Sequence, residues 1–386
     1  MTVLGAGRGA TVLDVHPKTV DDFEFVLLMS KEPDSHLSLA HLTIEGPSGF
    51  KGSYPDTQKE SLALSAAPSS PYGHDNRIIV DDVAITGKFY RGISMSGGGG
   101  IVQVRGSAIT ATLVAVQSYE STGTFLDRQV VIEDSVLESG IPASKTSDGA
   151  PHGIIVYVHP HVALRVTDTV FKNNPRGAVK QYGEGDNVLG KAPLYSVYEN
   201  VTFENCDGYT IITPGEAVTT TIRGYKADSG MIGIRNDTVI SDSTFVNAGI
   251  TEAAGHDQPF KNVTITGSAF TLARRDFAAV RSKPGWNLIV IGSKFLFEEG
   301  ANGGTVGYLG GEENGSRAER AEFRDSDFET RTTRNHPDSA IAFSANDRGD
   351  RFAVAGSRFV GPFSQPIAVD SPTEAEIVLT DNQFLP

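Results

Sequence analysis

The residues able to do chemistry cluster in the middle of the chain, between about Tyr119 and Lys283. They fall at the ends of short runs in which apolar residues alternate: LVAVQSY (113–119), GIIVYVH (153–159), GAVKQYG (177–183), GMIGIRN (230–236) and FAAVRSK (277–283). Period-two alternation in such a run puts one set of side chains inward and the other outward. In GIIVYVH it predicts Ile154, Val156 and Val158 inward, with Ile155, Tyr157 and His159 outward. In FAAVRSK it places Ala278 and Val280 in, and Arg281 and Lys283 out. The outward column then carries Gln117 and Tyr119, Tyr157 and His159, Lys180 and Tyr182, Arg235 and Asp237, and Arg281 and Lys283, with turns at 212–216 and His256-Asp257 between them.

Two chemistries fit this collection. Removing a proton alpha to a carboxylate needs a base, a cation for the enolate and an acid for the leaving oxygen. Lys180 as base, Arg235 as cation and Tyr182 or His159 as acid supply that set, a Lys among cations being lowered in pKa. Hydrolysis of a glycosidic bond needs two carboxylates instead, and Glu184, Asp186, Glu216, Asp237 and Asp257 stand at the predicted strand ends. Substrate contacts would come from Tyr119, Tyr157, Asp257, Arg281 and Lys283. Trp286, the one tryptophan, offers a ring on which a sugar could stack.

Bland readings stand beside these. Lys180 also reads as a solvated strand residue with its stem on Tyr182, and Trp286 as a loop aromatic covering an edge. His159 and His161 have zinc-compatible spacing, but a third ligand is missing. Calcium on Asp186, Asp237 and Asp257 is the better metal expectation, although no contiguous ligand pattern supports it; the sequence requires no cofactor. Gly5-Ala6-Gly7-Arg8-Gly9 is followed by no helix and no βαβ pattern, so a nucleotide-binding turn is not expected. Cys206 is the single cysteine and reads as a buried small residue rather than a reactive thiol.

The elements that must position these residues announce themselves as a repeat. Eight segments end in phenylalanine with nearly the same grammar, among them TVISDSTF (238–245), VTITGSAF (263–270), LIVIGSKF (288–295) and FAVAGSRF (352–359). A β-branched or apolar pair is followed by Gly or Asp, a small hydroxyl or amide residue, any residue and Phe. Successive phenylalanines from Phe171 to Phe384 are 32, 42, 25, 25, 33, 31 and 25 residues apart. A floor of two dozen with variable excess is a fixed rung plus loops of differing length. Upstream, LAHLTIEG (39–46), IIVDDVAITG (78–87), VQVRGSAIT (102–110) and VVIEDSVLE (130–138) carry Ile or Leu in the Phe position. Stretches 46–77, 139–152, 183–196, 298–303 and 310–320 read as loops rising from the flank as walls of a groove.

Composition agrees. No stretch holds a helical apolar spacing, and the chain is 39% hydrophobic with 42 glycines, so it should be all-β. There are 47 acidic against 33 basic residues, a formal net charge of −14, with the cations scattered. That excludes a phosphate-binding footprint, hence no nucleic-acid partner. No apolar run is long enough to cross a membrane, and no charged-then-apolar leader opens the chain.

Two or three strands per two dozen residues, all returning in one direction, describe a single right-handed parallel β-helix of about a dozen rungs over residues 1–386. With TVLGAGRGATVLDVHP (2–17), a strand, a Gly-x-Gly turn and a second strand, the repeats resemble the pectate-lyase-like superfamily at the level of fold. In that superfamily a capping helix precedes this stretch. Its absence here suggests a chain without its N-terminal cap, part of something longer.

The resemblance implies an extracellular or virion-surface protein acting on a polysaccharide. Three functions follow: cleavage by β-elimination, hydrolysis or glycosyl transfer by paired carboxylates, and a non-catalytic tail-spike or glycan-binding shaft working as a homotrimer. The first is the leading expectation.

Overall fold

A single backbone feature sets each rung. In the computed structural model the Gly, Asp or Asn of the repeat adopts a left-handed conformation, with φ of 56° at Gly106, 47° at Asp134, 48° at Asp168 and 52° at Asn200. The same holds at Asp242 (51°), Gly267 (55°), Gly292 (58°), Asp325 (49°) and Gly356 (60°). Gly, Asn and Asp tolerate this region and β-branched residues do not, so the strand breaks there. Phe therefore does not close the first strand, as the spacing suggests, but sits in a second strand beyond the turn. Lys261–Thr266 is followed by the turn at Gly267 and by Ala269–Leu272, which carries Phe270. Each full rung thus has three strands: one before the left-handed residue, one after it, and the alternating strand that follows.

The structure describes residues 1–14, 25–28, 34–46, 62–66, 75–87, 89, 91–96, 99–111, 114–119, 128–139, 154–159, 162–174, 177–181, 195–215, 218–253, 261–274, 278–282, 285–301, 305–306, 320–332, 337–344, 350–370 and 376–386. Most of the predicted groove-wall loops lie outside these residues. The chain divides into two compact units, Met1–Val218 and Thr219–Pro386.

In the N-terminal unit the first strand series runs through His36–Glu45, Asn76–Thr86, Gly100–Arg105, Arg128–Glu133, Ala163–Thr167 and Ser196–Glu199. Each is paired in parallel with its neighbour. Thr2–Leu4 and Val12–Asp14, the two strands expected around the Gly-x-Gly turn, both lie on His36–Glu45. The alternating strands stack likewise through Arg91–Ser96, Val114–Tyr119, Val156–Val158, Gly177–Gln181 and Tyr209–Ile212. The Gly run at 97–100 serves close packing where it is described: a Cβ on Gly100 would run into the backbone of Asn76.

The C-terminal unit repeats the plan. Ile222, Ile240, Ile265, Val290, Phe323 and Val354 face one another in register and are fully buried. All described pairings are parallel, and crossovers between parallel strands are right-handed in about 98% of cases. Both units are parallel β-helices, built without helices among the described residues.

Two ladders bind the rungs of the C-terminal unit. Phe245, Phe270, Phe295, Phe328 and Phe359 stack with centroid spacings of 4.3, 4.8, 4.9 and 4.8 Å and nearly parallel rings. Beside them runs a hydroxyl ladder. The amide N–H of Ser243 donates to Ser268 Oγ, Ser268 to Ser293, Ser293 to Ser326 and Ser326 to Ser357, at 3.2–3.3 Å. Each hydroxyl in turn donates to the carbonyl two residues back, as Ser243 does to Ser241 at 2.8 Å. The small residue of the signature is there because buried amides at the turn need an acceptor.

Candidate functional site

In the N-terminal unit the alternating strands bring one column of side chains together. Ser94 pairs with Gln117, Gln117 with Tyr157, Tyr157 with Lys180 and Lys180 with Ile212. Neighbours in such a column are about 4.8 Å apart. Gln117, Tyr157 and Lys180 are half-buried, and Ser94 beneath them is buried.

Local chemistry fixes this orientation. Asn174 Oδ1 accepts the Gly177 amide at 2.9 Å and starts the strand Gly177–Gln181. Gln181 is fully buried, donating from Nε2 to the Val162 carbonyl at 2.7 Å and accepting from Ser196 Oγ at 3.0 Å. With Gln181 and Val179 committed inward, Lys180 faces out. Tyr157 is held the same way between the buried Val156 and Val158. Among the described residues the Oε1 of Gln117 has no hydrogen-bond partner.

Other predicted residues land elsewhere. Ile155 and His159 were expected outward, but Ile155 is 1% and His159 6% exposed. The Ile155 carbonyl accepts both the Ala115 and Val116 amides, an irregularity that resets the alternation so that the strand begins at Val156. His159 lies past the strand end, where its carbonyl accepts the Val162 amide at 3.0 Å and its side chain is buried. Tyr119 pairs through its backbone with Ser96. Tyr182, Glu216, Asp257 and Lys283 lie outside the described residues, as do Glu184 and Asp186.

The C-terminal unit holds the rest. Arg235, expected to face outward as the enolate cation, is 1% exposed. It follows Gly230–Ile234 at the corner where the chain turns toward Thr238–Ser241, and its side chain is covered there. Lys180 and Arg235 belong to separate units.

Both carboxylate oxygens of Asp237 are engaged by Asn262, from its amide at 2.7 Å and its Nδ2 at 3.1 Å. Asn287 continues the same ladder at 2.9 Å. Trp286 opens a strand beside Lys261 and is 1% exposed, so neither ring face is open to a sugar. Arg281 is exposed, across from Thr251.

A second charged feature in this unit escaped the sequence. Lys261 is buried and donates from Nζ to Glu252 Oε1 at 2.7 Å, with Glu252 itself mostly covered. Lys261 opens its strand, a position where alternation predicts no direction. Among the described residues no three His, Cys, Asp or Glu side chains gather as metal ligands, and no described helix could cross a membrane.

No protein-family model and no curated protein matches the chain. Two solved structures are similar to it. Tailspike protein 3 of bacteriophage CBA120 has 11% identity and a TM-score of 0.35, over 97% of this chain and 57% of that one. The tailspike protein of E. coli bacteriophage HK620, a double mutant in complex with a pentasaccharide, has 10% identity and a TM-score of 0.36, over 99% and 72%. The chain thus spans a little over half the length of the first. Its fold class, a right-handed parallel β-helix, is defined by the strand registers above.

Proposed function

We propose that the chain is a glycan-recognising β-helix whose alternating strands present a polysaccharide-binding strip. The observation that carries this reading is the register column Gln117, Tyr157 and Lys180. An aromatic ring, an ammonium and a carboxamide, stepped at about 4.8 Å, match the spacing of polar groups along an extended sugar polymer. The function is recognition outside the cell or at a virion surface, in the manner of a binding shaft; a shaft of this kind would act as a homotrimer.

Cleavage is the second reading. Lys180 directly beside Tyr157 is a base next to an acid, the pairing that β-elimination needs. Arg235 is buried and Asp237 is held in its ladder, so we rank recognition ahead of elimination and hydrolysis. The test is a polysaccharide panel scored for binding, for ultraviolet absorbance of unsaturated products and for new reducing ends. Binding without either product supports the shaft. Unsaturated products that vanish in Lys180→Ala would move the conclusion to a lyase, and no binding to any polymer would overturn the proposal.

A further inference from the structure

The outer face of the first strand series in the N-terminal unit carries an arginine treated differently from its neighbours. Arg8, Arg77 and Arg105 each pair with a carboxylate, those of Asp82, Asp75 and Asp81. Arg165 is exposed and makes no ion pair among the described residues. Its strand partners are Val131 and Val197, and Glu133 and Glu199 stand two residues further along those strands, at diagonal positions. The guanidinium lies instead over the ring of Tyr195, 5.6 Å from its centroid.

Tyr195 is clamped at both ends. Its carbonyl accepts the Leu164 amide at 3.1 Å, and its hydroxyl donates to Gln129 Oε1 at 3.2 Å. Burial pushes the phenol above its ordinary pKa, with Arg165 opposing, so the ring stays neutral and the hydroxyl a donor. Gln129 is half-buried, and with Oε1 engaged its amide hydrogens remain to donate. Gln103 stands half-buried in a neighbouring strand, opposite Val131.

We propose that Arg165, held on Tyr195 beside Gln129, is a subsite for a carboxylate-bearing sugar unit. A guanidinium braced on an aromatic ring keeps its N–H edge free for bidentate contact with a planar carboxylate. The carboxamides of Gln129 and Gln103 suit the ring hydroxyls on either side. In a chain with net charge −14, an exposed guanidinium with no carboxylate partner among the described residues is open to an anionic ligand. The subsite does not depend on the Gln117–Tyr157–Lys180 column.

The test compares binding of an oligogalacturonate and an oligosialic acid with that of their methyl esters, which keep the shape and remove the charge. The wild-type chain should bind at least one acid form roughly tenfold more tightly than its ester, with the preference falling as salt rises. Arg165→Gln and Tyr195→Ala should abolish the preference without lowering the melting temperature by more than a few degrees. Tyr195→Phe, which keeps the ring, should retain most of it. Equal binding of acids and esters, no binding of either acid, or full preference in Arg165→Gln overturns the subsite. Preference lost in Lys180→Ala but kept in Arg165→Gln also overturns it, while leaving the column and its proposed function standing.

Discussion

Phe270→Ala probes what holds the rungs together. Phe270 is 1% exposed and lies between Phe245 at 4.3 Å and Phe295 at 4.8 Å, all three rings within 9° of parallel. Truncating a buried Phe costs about 3–5 kcal/mol in transfer and cavity terms. Each lost stacking partner adds about 0.5–1.5 kcal/mol, although the terms overlap, so about 5 kcal/mol is expected. Phe384 supplies the control: it is 56% exposed with one stacked neighbour, Phe359 at 5.1 Å, and Phe384→Ala should cost about 1 kcal/mol.

A solenoid's stability is a sum of rungs and nearest-neighbour interfaces, so the Phe270 gap should loosen its own region first. Trp286, the sole tryptophan, is buried in the adjacent rung and its emission reports that region. Urea unfolding followed by tryptophan emission and by circular dichroism should show the emission transition moving well below the global one in Phe270→Ala. A loss under about 1.5 kcal/mol, or Phe384→Ala as damaging as Phe270→Ala, would refute the stacked spine as the main inter-rung term.

Three further outcomes are expected. Lys261→Met should destabilise the C-terminal unit by about 3 kcal/mol because it breaks the buried Lys261–Glu252 pair, while Lys261→Met with Glu252→Leu should recover part of that; denaturant midpoints read both. At the left-handed position of Asp134, Asp134→Gly should be near neutral and Asp134→Val should cost about 1–2 kcal/mol, measured by thermal unfolding.

The N-terminal rungs should weaken in acid. The hydrogen bond from Arg105 holds Asp81 below the usual carboxylate range, that from Arg77 does the same for Asp75, and His41 with Arg8 does so for Asp82. A carboxyl depressed in the folded state stabilises above its unfolded pKa, and that contribution is lost as pH falls through the folded value. Protection of the amides in strands 36–45 and 76–86, relative to intrinsic exchange at each pH, should therefore fall below about pH 4, less steeply in Asp81→Asn and in high salt. Protection that rises on acidification would contradict this.

Much of the fold was legible because the rung is a local rule. The Gly or Asp of the signature is a backbone requirement, its Ser an acceptor for a buried amide, and its Phe an interior ring, and each can be read from a few neighbouring residues. The alternating strands were less legible. At Ile155 two amides converge on one carbonyl and reset the period, and at His159 and Arg235 the side chain lies beyond the strand in a corner. Period two has nothing to say there. Tyr157 and Lys180 were placed correctly because each sits mid-strand between buried neighbours. Trp286 and Lys261 were beyond reach for the opposite reason: a large or charged side chain at a strand's first residue carries no alternation to reveal that it is buried. The Arg165–Tyr195 contact joins residues 30 apart in sequence, in a strand series whose outer face the repeat grammar leaves unspecified.

The central claim is that a polysaccharide lies along the Gln117, Tyr157 and Lys180 column. Calorimetric titration of the tightest-binding polymer from the panel into wild-type chain and into Tyr157→Ala, Lys180→Ala and the double variant tests it most directly. The proposal predicts that each single variant weakens binding by roughly tenfold or more, that the double variant abolishes it, and that thermal unfolding is unchanged. Wild-type affinity in the double variant would contradict it.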